Sequence, residues 1–133
     1  MKWIFSIVIL SALMAFSTTD ADKNNVCADA DVIVPSSLYA DKTLQLKVQD
    51  VSDFTFQLYD WEGTKVFQAL VDVTYLPQEL KNNIHRKSID MGSVGNKDMQ
   101  GSNMKAGNYI YIIEATCISD YHFRREGNLT LIK

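Results

Sequence analysis

The chain has 133 residues, of which 13 are Lys or Arg and 16 are Asp or Glu, for a formal net charge of −3. That length suffices for one domain with a single core. The acidic balance argues against nucleic acid as a partner, which demands basic clusters; the one such cluster, Phe123-Arg124-Arg125, is small.

Residues 1–17 read as a signal peptide. Lys2 supplies a positive charge, an apolar run from Trp3 to Phe16 is broken only by Ser6 and Ser11, and Ala15-Phe16-Ser17 is a small-x-small cleavage site. Cleavage there starts the mature chain at Thr18; Thr19-Asp20-Ala21 is a second candidate site. The run is too short for a bilayer, which needs about 20 apolar residues, and no other segment is long enough to cross one. A lipoprotein signal is rejected because Cys27 follows Asn24-Asn25-Val26 instead of small residues. Removing Lys2 lowers the basic count from 13 to 12 against 16 acidic residues, a mature net charge of −4.

Residues 18–30 form an acidic N-terminal segment. Asp20, Asp22, Asn24 and Asp31 partly fit a calcium-loop template. Asn25 replaces its turn glycine and Asp31 its bidentate Glu, so a solvated acidic tail is the expectation. Cys27 and Cys117 are the two cysteines. An exported chain meets an oxidising compartment, so they are expected to form a disulfide; two buried free thiols are the alternative. A catalytic thiol lacks a base partner.

Residues 31–133 are expected to form one all-β domain. Leu44, Leu46 and Val48 alternate with polar residues in Thr43–Val48, and Phe54-Thr55-Phe56-Gln57-Leu58 repeats the pattern, the signature of half-buried strands. Phe67, Ala69, Val71, Val73 and Tyr75 share one face of a strand running from Lys65 to Tyr75. Leu76, Leu80 and Ile84 are spaced by four, with Pro77 near the start, which predicts a short helix or turn. Lys87 to Lys105 is polar, carries Gly92, Gly95 and Gly101, and reads as a long connection. Tyr109–Ile118 is the longest strand, apolar on both faces except for Glu114 and Thr116, and is expected to be central and covered on both sides. Gly127–Ile132 is its hairpin partner, after a turn that contains Ser119-Asp120 and has Gly127 as its outer limit. No internal repeat and no low-complexity tract is present. These elements add up to an antiparallel β-sandwich with one short helix.

Three segments carry a resemblance. Leu58-Tyr59-Asp60-Trp61-Glu62-Gly63-Thr64-Lys65-Val66-Phe67 is similar to the hairpin of the gliding-motility-associated C-terminal domain. Gly101 through Tyr111 is similar to that family's glycine–tyrosine element, and Gly127-Asn128-Leu129-Thr130-Leu131-Ile132-Lys133 to its terminal strand. Val32-Ile33-Val34-Pro35 stands where the family has its first strand. The resemblance covers roughly residues 32–133 and implies an immunoglobulin-like fold and a role as a type IX secretion sorting domain. A related flagellar-hook-capping domain of the same fold shares the second element. The family's acidic-glycine loop is replaced here by Ser36-Ser37-Leu38-Tyr39-Ala40-Asp41-Lys42, so a metal role is not carried over. Trp61 is displaced by one place, and only Asp90-Met91-Gly92 remains of a further family motif. The family domain normally ends a much larger protein, whereas here it is almost the whole mature chain.

No pattern points to chemistry. His85 and His122 lack the partners a zinc site needs and are expected to be exposed loop residues. There is no nucleophile elbow, and Glu114 is expected to face solvent or a basic residue on the neighbouring strand. No cofactor and no metal are expected. Tyr109 and Tyr111 share a face with Ile113 and Cys117 and are assigned to the core. Trp61, at a turn, is the candidate contact residue, with Tyr59 beside it in sequence. Asn128-Leu129-Thr130 matches a glycosylation sequon by chance. The leading expectation is an exported non-catalytic module acting through protein or cell-surface contacts, at the loop Lys87–Lys105, the Trp61 turn or unpaired edge strands. The alternative is a small periplasmic or extracellular binder of carbohydrate or peptide, with Trp61 in a groove. An enzyme, using Glu114, His122 or His85 with another acid, ranks last.

Overall fold

A computed structural model describes residues 27–133. The expected signal peptide, its candidate cleavage sites and most of the acidic segment lie outside the described residues. Eight strands and one helix follow in chain order: β1 (Asp31–Ile33), β2 (Ser37–Tyr39), β3 (Gln45–Gln49), β4 (Val51–Tyr59), β5 (Lys65–Asp72), α1 (Pro77–Lys81), β6 (Arg86–Asp90), β7 (Gly107–Cys117) and β8 (His122–Ile132). They form an immunoglobulin-like sandwich of a three-stranded sheet, β1-β3-β6, and a five-stranded sheet, β2-β8-β7-β4-β5. All pairs are antiparallel except β2 with β8.

Period-two alternation builds the core. Leu46 and Val48 of β3 point inward, with Leu44 just before the strand, and meet Phe54, Phe56 and Leu58 of β4, all buried. Burying a side chain of this size contributes about 1.5–3 kcal/mol. From β7 and β8, Ile113, Ala115, Leu129 and Leu131 close the layer. Tyr109 is buried as expected, and Tyr111 is half-buried, its ring stacked on Phe56 at a centroid distance of 6.3 Å. Tyr111 lies across Gly127, where a Cβ would stand 2.3 Å from its hydroxyl, so this approach requires glycine.

Four expectations need correction. First, β7 is central in the order of strands but covered on one face only: Ile110 is 43% exposed and Glu114 is exposed. Among the described residues only the small sheet packs on the large one, and the apolar outer positions of β7 lie on the other side. Second, the polar connection begins with a strand. β6 pairs with β3, Ile89 opposite Leu46, but its exposed Arg86, Ser88 and Asp90 hide the alternation. Third, the turn holds Ser119-Asp120 as expected but stops short of its outer limit, since β8 starts at His122; the mostly polar run His122–Glu126 masks five strand residues. Fourth, β5 stops at Asp72. Beyond it the Val73 amide still bonds the Ser52 carbonyl at 2.9 Å.

The helix forms where Pro77 and the fourfold spacing predict one, but it buries none of its residues. Leu76, Leu80 and Ile84 are exposed. No helix among the described residues is long and apolar enough to cross a membrane. The basic cluster is taken up by acids: Arg125 meets Asp31 at 3.3 Å and lies over the Phe123 ring, and Arg124 pairs with Glu126.

Candidate functional site

The ends of the sandwich are the places where the loops gather. At one end Cys27 and Cys117 form the expected disulfide, spanning 90 residues of sequence. Beside it Asp50, at φ 54°, connects β3 to β4, and its backbone bonds both His85 and Ile118. The Tyr75 hydroxyl accepts from the Val51 amide at 3.3 Å and donates to the Val51 carbonyl at 3.0 Å. Burial, opposed by these backbone bonds, holds its pKa above the ordinary phenol value. His85 is half-buried, with Nδ1 3.2 Å from Asp50 and the ring edge-on to Tyr75, which corrects the expectation of an exposed loop histidine. His122 is exposed, its Nδ1 3.1 Å from the Thr116 hydroxyl.

The other end carries Trp61. Asp60-Trp61-Glu62-Gly63-Thr64 joins β4 to β5 as a three-residue hairpin loop. The Asp60 amide donates to the Thr64 carbonyl at 2.9 Å, and the Gly63 amide to the Asp60 carbonyl at 3.1 Å. Gly63 sits at φ +86°, the left-handed position such a loop demands. Asp60 Oδ1 accepts from the amides of both Glu62 and Thr64 at 2.9 Å, which braces the turn from inside. Trp61 stands at its tip, 80% exposed.

A second turn repeats this bonding. In Asp98-Met99-Gln100-Gly101-Ser102 the Asp98 amide donates to the Ser102 carbonyl at 2.9 Å, and the Gly101 amide to the Asp98 carbonyl at 3.1 Å. Asp98 Oδ1 accepts from the amides of Gln100 and Ser102, each at 2.9 Å. Gly101 sits at φ +84°, and Met99, 57% exposed, takes the place of Trp61. Sequence reasoning missed this pair, although Asp-x-x-Gly-Thr and Asp-x-x-Gly-Ser stand openly in the chain. The second turn docks on β5 through the Met99 amide, which donates to the Val66 carbonyl at 3.0 Å.

Both turns border one open groove of about 550 Å³, lined by Trp61, Asp60 and Glu62 on one side and by Asp98, Met104 and Lys105 on the other. Tyr109 also lines it. Its hydroxyl donates to the Lys105 carbonyl at 2.6 Å. Burial raises its pKa most, the Lys105 bond opposes this, and Asp60 and Asp98 raise it further. The structure thus brings the Trp61 turn and the late part of the polar loop together. It does not bring Tyr59 to them: Tyr59 is half-buried on the outer face of the large sheet, where its hydroxyl donates to Gln57 at 3.0 Å. Glu114 lies on the same outer face, opposite Arg124. Among the described residues no group of three or more His, Cys, Asp or Glu side chains could hold a metal ion.

No family model matches the chain, and no curated protein matches it. Among solved structures it is similar to CopC from Methylosinus trichosporium OB3b, with 11% identity and a TM-score of 0.45, over 76% of this chain and 88% of that one. It is also similar to a superoxide reductase (neelaredoxin) from Ignicoccus hospitalis, with 8% identity and a TM-score of 0.43, over 78% and 80%. The sulfur carrier protein SoxY from Chlorobium limicola f thiosulfatophilum follows, with 8% identity and a TM-score of 0.34, over 79% and 80%. At these scores the likenesses carry no functional argument.

Proposed function

We propose that this chain is an exported, non-catalytic β-sandwich module that acts through a protein or cell-surface contact at its Trp61 end. The observation that carries the reading is Trp61 itself: a large aromatic, 80% exposed, on a turn braced by Asp60. An exposed tryptophan on a stiff backbone loses little conformational entropy on contact and buries a large area. Export is supported by Lys2, the apolar run to Phe16 and the Cys27–Cys117 bond. The absence of catalysis is argued from the groove, where Asp60 and Asp98 each commit one carboxylate oxygen to backbone amides. The sorting-domain role rests on the sequence resemblance of residues 58–67, 101–111 and 127–133. A second reading, a small carbohydrate or peptide binder, is favoured by the groove beside Trp61.

The test is fractionation of the native host with and without its outer-membrane secretion machinery. On the sorting reading the protein reaches the surface or medium and accumulates in the periplasm once the machinery is removed. A protein that is periplasmic in both hosts removes the sorting role and turns the search to periplasmic ligands.

A further inference from the structure

Among the described residues the two sheets have four edges, and three of them are blunted. β1 and β2 are three residues each; β6 has five residues and carries Arg86, Lys87 and Asp90. Short or charged edges are how sheets avoid joining other chains. β5 is different: it has eight residues, and its second half, Gln68-Ala69-Leu70-Val71-Asp72, holds one charge, at its end. Leu70 is 75% exposed there.

The backbone of this segment is oriented for pairing. The Val73 amide bonds Ser52, and Val71 stands opposite Phe54 and Ala69 opposite Phe56. The odd residues therefore make the bonds to β4, and alternation turns the amides and carbonyls of Gln68, Leu70 and Asp72 away from it. At the start of the strand the outward carbonyl of Val66 is occupied by the Met99 amide. Among the described residues the open stretch thus runs from Gln68 to Asp72, with Leu70 at its centre.

We propose that β5 pairs antiparallel with β5 of a second copy of this chain, about a twofold axis at Leu70, joining two five-stranded sheets into one. The segment is complementary to itself in that register. Leu70 faces Leu70 of the second copy, and each opposed pair exchanges two backbone bonds. Gln68 faces Asp72 of the second copy, twice by symmetry. The Gln68 side-chain Oε1 already accepts from Lys65 Nζ at 2.7 Å, which leaves the side-chain amide hydrogens for that carboxylate. Asp72 stands opposite Asp53 in its own sheet, so a donor on its open side relieves a like-charge neighbour. The interface is small, so the dimer is weak and depends on concentration.

The test is sedimentation of the protein purified from its host, over a concentration series up to about 1 mM. The mass rises from monomer to dimer. Leu70→Lys, a substitution at an exposed site, places two like charges opposite each other and stays monomeric throughout. Gln68→Lys sets Lys against Asp72 and tightens the dimer about tenfold. A wild type that is monomeric at every concentration overturns the proposal. So does a dimer that survives Leu70→Lys, or one that Gln68→Lys leaves unchanged.

Discussion

β4 runs from Val51 to Tyr59, about 27 Å at strand rise, and its two ends are held by opposite means. At the Val51 end the restraints join distant parts of the chain: the disulfide spans 90 residues, and Tyr75 bonds Val51 across 24. At the Tyr59 end the Asp carboxylate that braces each turn bonds only amides within its own five residues. Long-range links stabilise by constraining the unfolded chain or by filling the core, so their loss is felt globally. Short-range links shape a tip, and their loss is felt where the tip makes contact. The first end therefore carries stability and the second carries shape.

The largest effect expected from breaking that contrast is at the disulfide. Replacing Cys27 and Cys117 together by Ser releases a loop whose closure is worth about 4–5 kcal/mol in the chain-entropy description. A urea midpoint series measures it, and a loss near zero removes the distinction between the ends. Next comes Tyr75→Phe, which strips partners from both backbone groups of Val51 and costs about 1–3 kcal/mol. Tyr75 and Tyr109, one at each end, also set an alkaline limit. Burial holds both above the ordinary value of 10.0. The unfolded chain loses these protons first, so their contribution is complete below about pH 10 and fades as pH rises through the raised values. Stability measured against pH falls there in the wild type, and Tyr75→Phe and Tyr109→Phe each flatten the fall.

A smaller effect separates the two turns. Asp60→Ala and Asp98→Ala each remove an oxygen that accepts two amides, at exposed sites where water replaces it; about 1 kcal/mol is expected for each. Equal losses follow from their identical bonding, and proton exchange at the amides of Glu62 and Gln100 reads the loosening directly. A much larger loss for Asp98→Ala would show that the second turn, docked on Val66, belongs to the packed body and not to the tip.

Much of this architecture was legible in the chain. Alternation located β3, β4 and β5, a long run apolar on both faces located β7, Gly63 marked the hairpin, and the two cysteines in an export context announced their bond. The misses share a cause. β6 and the first half of β8 are strands whose side chains are mostly polar, held by partners distant in sequence, so no local period reveals them. Ile110 and Ile112 misled in the opposite direction, since apolar residues on an uncovered face look the same in sequence as those on a covered one. The groove was half legible: Trp61 stood out by residue type. Its neighbour Asp98–Ser102 needed the tertiary fold to be brought beside it, although the repeated Asp-x-x-Gly pattern was present to be found.

Trp61→Ala is expected to have the smallest effect on stability and the largest on contact. With four-fifths of its surface in water, the side chain supports little of the core, and the unfolding free energy should change by no more than about 0.5 kcal/mol. Retention of the added protein on host cells that lack their own copy should fall about thirtyfold or more, the scale of a lost tryptophan anchor. Met99→Ala, at the matching place on the second turn, should reduce retention less, because its side chain offers less area and no ring. Unchanged retention in the tryptophan variant would move the contact away from this end. A stability loss as large as that of Tyr75→Phe would mean that Trp61 packs as part of the body, and the division between a stabilising end and a shaped end would fail at the residue that defines it.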